Sequence, residues 1–88
     1  MIRRVYKYAL ERTTEEQTVA IPHGGIIRHV AMQNGEICLW VEVEIYQGHD
    51  HRRFAIHGTG HDIPEGEVWR GTVFDGPFVW HVYEVERS

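Results

Sequence analysis

The 88-residue chain is short of cysteine, lysine and serine, and it contains no long apolar run. Each shortage removes a class of protein. Cys38 is the only cysteine, so no disulfide can form within a monomer. That usage suits a reducing compartment. Cys38 also falls within an alternating apolar stretch, where a thiol packs rather than attacks. No serine precedes Ser88, and Thr59 near His61 has no orienting acid assigned by spacing, so nucleophilic catalysis is poorly provided for. No segment approaches the roughly 20 apolar residues of a membrane helix. The opening MIRRVYKYAL lacks the apolar stretch of a signal peptide. The expectation is a soluble, cytoplasmic protein that does not engage a membrane. A formal net charge of −4 argues against gripping duplex nucleic acid through its phosphates.

Arginine and histidine are what the chain has instead. Eight of the nine basic residues are arginine, with Lys7 the only lysine. The planar guanidinium suits bidentate contact with carboxylate or phosphate and tolerates partial burial. Protonating all seven histidines would move the formal charge from −4 to +3, which makes solubility and binding pH-dependent.

Length sets one domain, residues 1–88, burying roughly 60–65% of its unfolded surface. No repeat, linker or convincing helix interrupts it. Residues 2–10 alternate as a strand, and a single turn leads to a short strand near 17–21. Asn34-Gly35 between alternating runs marks a two-residue hairpin. It predicts Met32 opposite Ile37, Val30 opposite Leu39, His29 opposite Trp40 and Arg28 opposite Val41. Arg28 then stands in an apolar row, and the face with Ile27, Cys38, Trp40 and Glu42 is apolar enough to call for a second layer or subunit. Residues 46–53 read as a polar loop, followed by a short strand at 54–57. A turn at Asp75-Gly76 joins strands 67–74 and 78–86, placing Gly71 opposite Trp80 and Trp69 opposite Val82. Six to seven short strands imply an all-β fold, a small antiparallel sandwich or partly open barrel.

Three constellations could carry chemistry. His49, His51, His57, His61 and Asp62 could ligate a metal, but no recognised spacing joins them, and a solvated polar loop with a turn histidine is the favoured account. Gly58-Thr59-Gly60-His61 could present backbone amides to an anion, with Arg52 and Arg53 nearby, or simply reverse the chain. Arg70, Thr72, His81 and Tyr83 share one strand face that could meet phosphate and stack a base, or be solvated.

Across almost the whole chain the motifs resemble a family of small uncharacterised proteins of tailed phages and prophages. They are YKYAL, Glu16-Gln17-Thr18, Gln33-Asn34-Gly35 with Cys38-Leu39-Trp40, Gly58-Thr59-Gly60-His61, Gly71-Thr72 and His81-Val82-Tyr83-Glu84. Members often carry proline after GTGH, where this chain has Asp62 and delays its proline to Pro64. The resemblance implies a role against host defence. The leading expectation is a non-enzymatic homo-oligomer that sequesters a small anionic ligand, a cyclic nucleotide signal. Its site would draw on Arg53, Gly58, Thr59, Gly60, His61, Arg70, His81 and Tyr83, with no catalytic residue, metal or cofactor. A protein–protein inhibitor working through the Trp40 face is the first alternative. A histidine metal site or a phage structural component is the next.

Overall fold

In the computed structural model, which describes residues 1–87, the alternating runs form seven strands. They are β1 (Arg3–Leu10), β2 (Gln17–Pro22), β3 (Ile26–Gln33), β4 (Glu36–Glu44), β5 (His49–Gly58), β6 (Glu67–Asp75) and β7 (Phe78–Val85). Every pairing is antiparallel, in a three-stranded sheet ordered β1-β4-β3 and a four-stranded sheet ordered β2-β5-β7-β6. No helix occurs among the described residues, so none is long and apolar enough to cross a membrane. The expected antiparallel sandwich is what the chain forms, and its two sheets do not close into a barrel. Between them lie Ile37, Leu39, Val41 and Val43 of β4 against Ile21, Phe54, Ile56, Val73 and Val82 of the other sheet, all essentially buried. Each such side chain contributes about 1.5–3 kcal/mol on burial.

Asn34 and Gly35 have φ of 51° and 78°, the positive values a tight hairpin requires. The expected register holds from Gln33↔Glu36 to His29↔Trp40. It then breaks. Arg28 is bulged out of the ladder, so Val41 pairs with Ile27 rather than Arg28. The extra residue reverses the phase of the strand. Ile27 packs on the core, while Arg28 Nε donates to Glu42 at 3.2 Å on the outer face. Arg3 reaches the same carboxylate, and Lys7 bonds Gln33. The outer face is therefore a charged rim around Trp40, which packs on His29. Ile27 has left this face for the core, so the face is less apolar than strict alternation implies.

β6 repeats the device. Its turn is Gly76-Pro77 rather than Asp75-Gly76, and Asp75 pairs with Phe78. The offset of two residues keeps each side chain on its expected face. Arg70 is bulged, however, so Trp69 pairs with Tyr83 and leaves the inner face. Gly71 does not lie under Trp80. A Cβ there would come within 2.6 Å of the Val30 Cβ, so glycine lets β3 approach β6 and closes that side of the sandwich.

The expected loop at 46–53 is also corrected, because β5 begins at His49. Its polar first half lacks apolar alternation, yet it pairs residue for residue with β2, from Pro22↔His49 to Gln17↔Phe54. Pairing partners override local pattern here. Ahead of β2, the expected helical turn is absent. The Gln17 side chain instead bonds both the N–H and the C=O of Glu11 and fixes the crossing between sheets.

Two carboxylates have side chains largely withdrawn from solvent, Glu84 and Glu67. Glu84, 7% exposed, accepts a two-pronged contact from Arg52 at 2.6 and 2.7 Å and another from Arg70 Nε at 3.0 Å. Arg52 also donates to the Gly25 carbonyl, tying β5 to the β2–β3 connection. Burial acts to raise the Glu84 pKa, but the bonds and charges of Arg52 and then Arg70 outweigh it and hold the carboxyl below its ordinary value.

Two outcomes follow from this packing. Gly71→Ala should cost about 1–3 kcal/mol by overpacking, as read by thermal unfolding, and Val30→Ala should not repair it because alanine keeps the Cβ that the new methyl meets at 2.6 Å. A depressed carboxyl pKa gives stability that is present above the ordinary carboxylate range and lost as pH falls through the folded value. Urea midpoints should therefore fall on acidification below about pH 4.5, the carboxyl's ordinary value. Glu84→Gln should flatten that fall and cost about 3 kcal/mol at pH 7, the low end for breaking a buried pair.

Candidate functional site

Gly58 is the last β5 residue paired to β7, opposite Trp80. β7 extends beyond that point, so Phe78 and Val79 have no strand neighbour on the β5 side. The gap forms a groove of about 360 Å³ lined by Gly58, Thr59, His61, Phe78, Val79 and Trp80. Phe78 and Trp80 stack along it, with centroids 5.7 Å apart and planes inclined by 19°. The Trp80 indole also faces a second cavity of about 220 Å³ bordered by Arg12, Thr13, Thr14 and Ile56. Asp75 accepts from both Arg12 and the Trp80 indole N–H, and these contacts hold its carboxyl below the usual pKa.

The GTGH segment is a turn, closed by a 3.1 Å bond from His61 N–H to Gly58 C=O. Gly60 has φ of +89°, the left-handed value that glycine supplies at such a corner. His61 folds back, its Nδ1 accepting the Gly58 N–H at 3.2 Å. That amide is therefore engaged and not part of an open anion cradle. A Cβ on Gly58 would come within 2.9 Å of the His61 ring, so the folded-back ring requires glycine there. Thr59 Oγ1 lies 2.9 Å from His81 Nε2, and His81 Nδ1 lies 2.9 Å from Thr72 Oγ1. Trp69 Nε1 donates to that second hydroxyl at 3.1 Å. A four-member polar chain thus runs across the outer face of the four-stranded sheet into the groove wall.

The structure brings Gly58, Thr59, Gly60, His61 and His81 together. It does not bring Arg53 or Arg70 to them, and Tyr83 lies one step further along the same face from His81. Arg70 is held by Glu84. Arg53 contacts Glu16 and the Arg87 carbonyl, near the end of the β5–β7 ladder remote from the groove. Tyr83 stands edge-on to His57, with centroids 5.5 Å apart. His57 in turn bonds Glu67 at 2.7 Å, and Arg87 bonds the other oxygen of that carboxylate. Only 1% of the Glu67 side chain is exposed; burial acts to raise its pKa, but His57 and Arg87 outweigh it and lower it. Two histidines are committed to such carboxylate pairs, His57 with Glu67 and His23 with Asp50. Among the described residues no three His, Cys, Asp or Glu side chains converge on a point that could hold a metal ion.

Sequence reasoning missed Phe78 and Trp80 as groove residues and Arg12 at the neighbouring cavity. Two aromatics spaced by one residue just after a turn were a usable signal. Arg12 lies 63 residues from its partner Asp75, and no local signal could reveal it.

Comparison with the curated proteins and with the solved structures matches nothing. The family model described as a domain of unknown function, DUF7352, matches residues 1–88. The chain belongs to the DUF7352 family.

Proposed function

We propose that this protein is a non-enzymatic binder that sequesters a small anionic ligand carrying a planar ring, a nucleotide. The reading rests on the stacked Phe78 and Trp80 rings bordering the Gly58–His61 groove. Phe78 is 56% exposed, so its ring is available for a base to stack on. The Thr59 hydroxyl, anchored by His81, and the unpaired edge of β7 would supply hydrogen bonds.

The positive charge would come from Arg12 on the far side of the Trp80 indole, not from Arg70 or Arg53. The Arg12 side chain is 49% exposed. Asp75 also accepts from the Trp80 indole, so a phosphate would share the Arg12 guanidinium with that carboxylate rather than simply replace it. The resemblance to phage-encoded proteins supports the finer reading, in which the ligand is a cyclic nucleotide immune signal removed in the cytoplasm of an infected bacterium. A protein-blocking role is favoured by a separate observation. Trp69 and Phe74 stand 56% and 74% exposed on the outer face of the four-stranded sheet.

Calorimetry against cyclic di- and trinucleotides tests the first reading. Binding is expected, with Phe78→Ala weakening it by about 5- to 150-fold, the worth of one stacked base of about 1–3 kcal/mol. Arg12→Ala should also weaken it. Absence of heat with every nucleotide, at protein well above micromolar, would abandon this reading. Capture of a host protein that is lost on Phe74→Ala but kept on Phe78→Ala would favour the second.

A further inference from the structure

From Arg3 to Lys7, β1 is exposed on three sides. It forms the edge of its sheet, and Arg3, Arg4, Val5, Tyr6, Lys7 and Ala9 are all exposed although they alternate between its two faces. Its ladder to β4 runs from Arg3 to Leu10 without a bulge, and it contains no proline. Bulges and prolines are the usual devices that protect an edge. Exposed apolar side chains accompany it: Ile2 at 59%, Val5 at 56% and Tyr6 at 36%.

The direction of its free backbone groups can be fixed. Ile45 N–H donates to Ile2 C=O at 3.1 Å, in phase with the Arg3↔Glu44 register. Bonding and non-bonding pairs alternate in an antiparallel ladder. Residues 2, 4, 6, 8 and 10 therefore bond β4, while Arg3, Val5, Lys7 and Ala9 turn their N–H and C=O groups away from it.

We propose that β1 is the interface of a two-fold homodimer, in which two copies of β1 pair antiparallel into a six-stranded sheet. The inference stands apart from the ligand reading. Symmetry and the face rule restrict the register, since opposed residues share a face. In the register centred on Tyr6, Tyr6 meets the partner's Tyr6, Val5 meets the partner's Lys7, and Arg3 meets the partner's Ala9. Arg4 then lies over the partner's Tyr8, where guanidinium and ring attract. No like charges oppose each other. Sliding by one allowed step sets Arg3 against the partner's Lys7, and sliding the other way sets Lys7 against the partner's Lys7. Arg3 and Lys7, two of the three cations that discourage indiscriminate pairing, thus select one register.

Sedimentation of the full chain, with circular dichroism confirming the fold of each variant, tests this. Wild type should be dimeric, with Arg3, Val5, Lys7 and Ala9 amides slowed in hydrogen exchange. V5K sets an added cation opposite the partner's Lys7 twice per dimer and should raise the dissociation constant at least ~10-fold. Adding K7E creates two cross-strand ion pairs and should restore dimerisation. A monomeric wild type, including one that pairs instead with an acidic peptide, overturns the proposal. So does a dimer indifferent to V5K, or a V5K defect that K7E fails to repair.

Discussion

The Glu84 carboxylate, shared between the guanidiniums of Arg52 and Arg70 at the inner edge of the four-stranded sheet, constrains much of the molecule. A buried carboxylate without partners would be several kcal/mol unfavourable. Satisfying it draws β5, β6 and β7 together and, through the Gly25 carbonyl, fixes the passage from β2 to β3. It also commits Arg70 inward. The β6 bulge that delivers Arg70 turns Trp69 outward, where its indole joins the Thr72–His81–Thr59 chain. An electrostatic requirement at one end of the sheet thereby shapes the polar face at the other.

Both bulges obey the same logic. Strict alternation would place Arg28 and Trp69 on the inner faces of their sheets. One extra residue in each strand puts Ile27 on the core and Trp69 outside, and lets each bulged arginine meet a carboxylate on β4 or β7. Around the core the arginines act mainly as ties between strands distant in sequence. Lysine could not replace the forked contact of Arg52 with both oxygens of Glu84. The arginine bias of the composition therefore has a structural explanation that does not require a ligand. Arg12 is placed differently, because it borders a cavity and pairs with Asp75 in an exposed contact.

The fold class and the strand faces were legible because alternation and Asn34-Gly35 are local signals. Asn34 and Gly35 announce positive φ by their chemistry alone. Bulges are not local: nothing in IIRHV says that Arg28 will be unpaired until β4 presents Glu42. The first half of β5 was hidden because HDHRR has no apolar rhythm and gains its order from β2. Of the candidate site, Gly58-Thr59-Gly60-His61 and His81 could be read and do converge. Arg53 and Arg70 were assigned to a ligand because charge types are visible in a sequence whereas their partners, Glu16 and Glu84, are settled by long-range packing.

The groove exists because β5 stops at Gly58 while β7 extends to Phe78, leaving rings, a hydroxyl and strand edge around one space. That this space is a ligand site is the central claim. Native mass spectrometry of freshly isolated, untagged protein tests it most directly. The account predicts subunits carrying extra mass that matches a nucleotide and is lost in Phe78→Ala. Subunits of bare chain mass, unchanged after incubation with cyclic di- and trinucleotides, would contradict it.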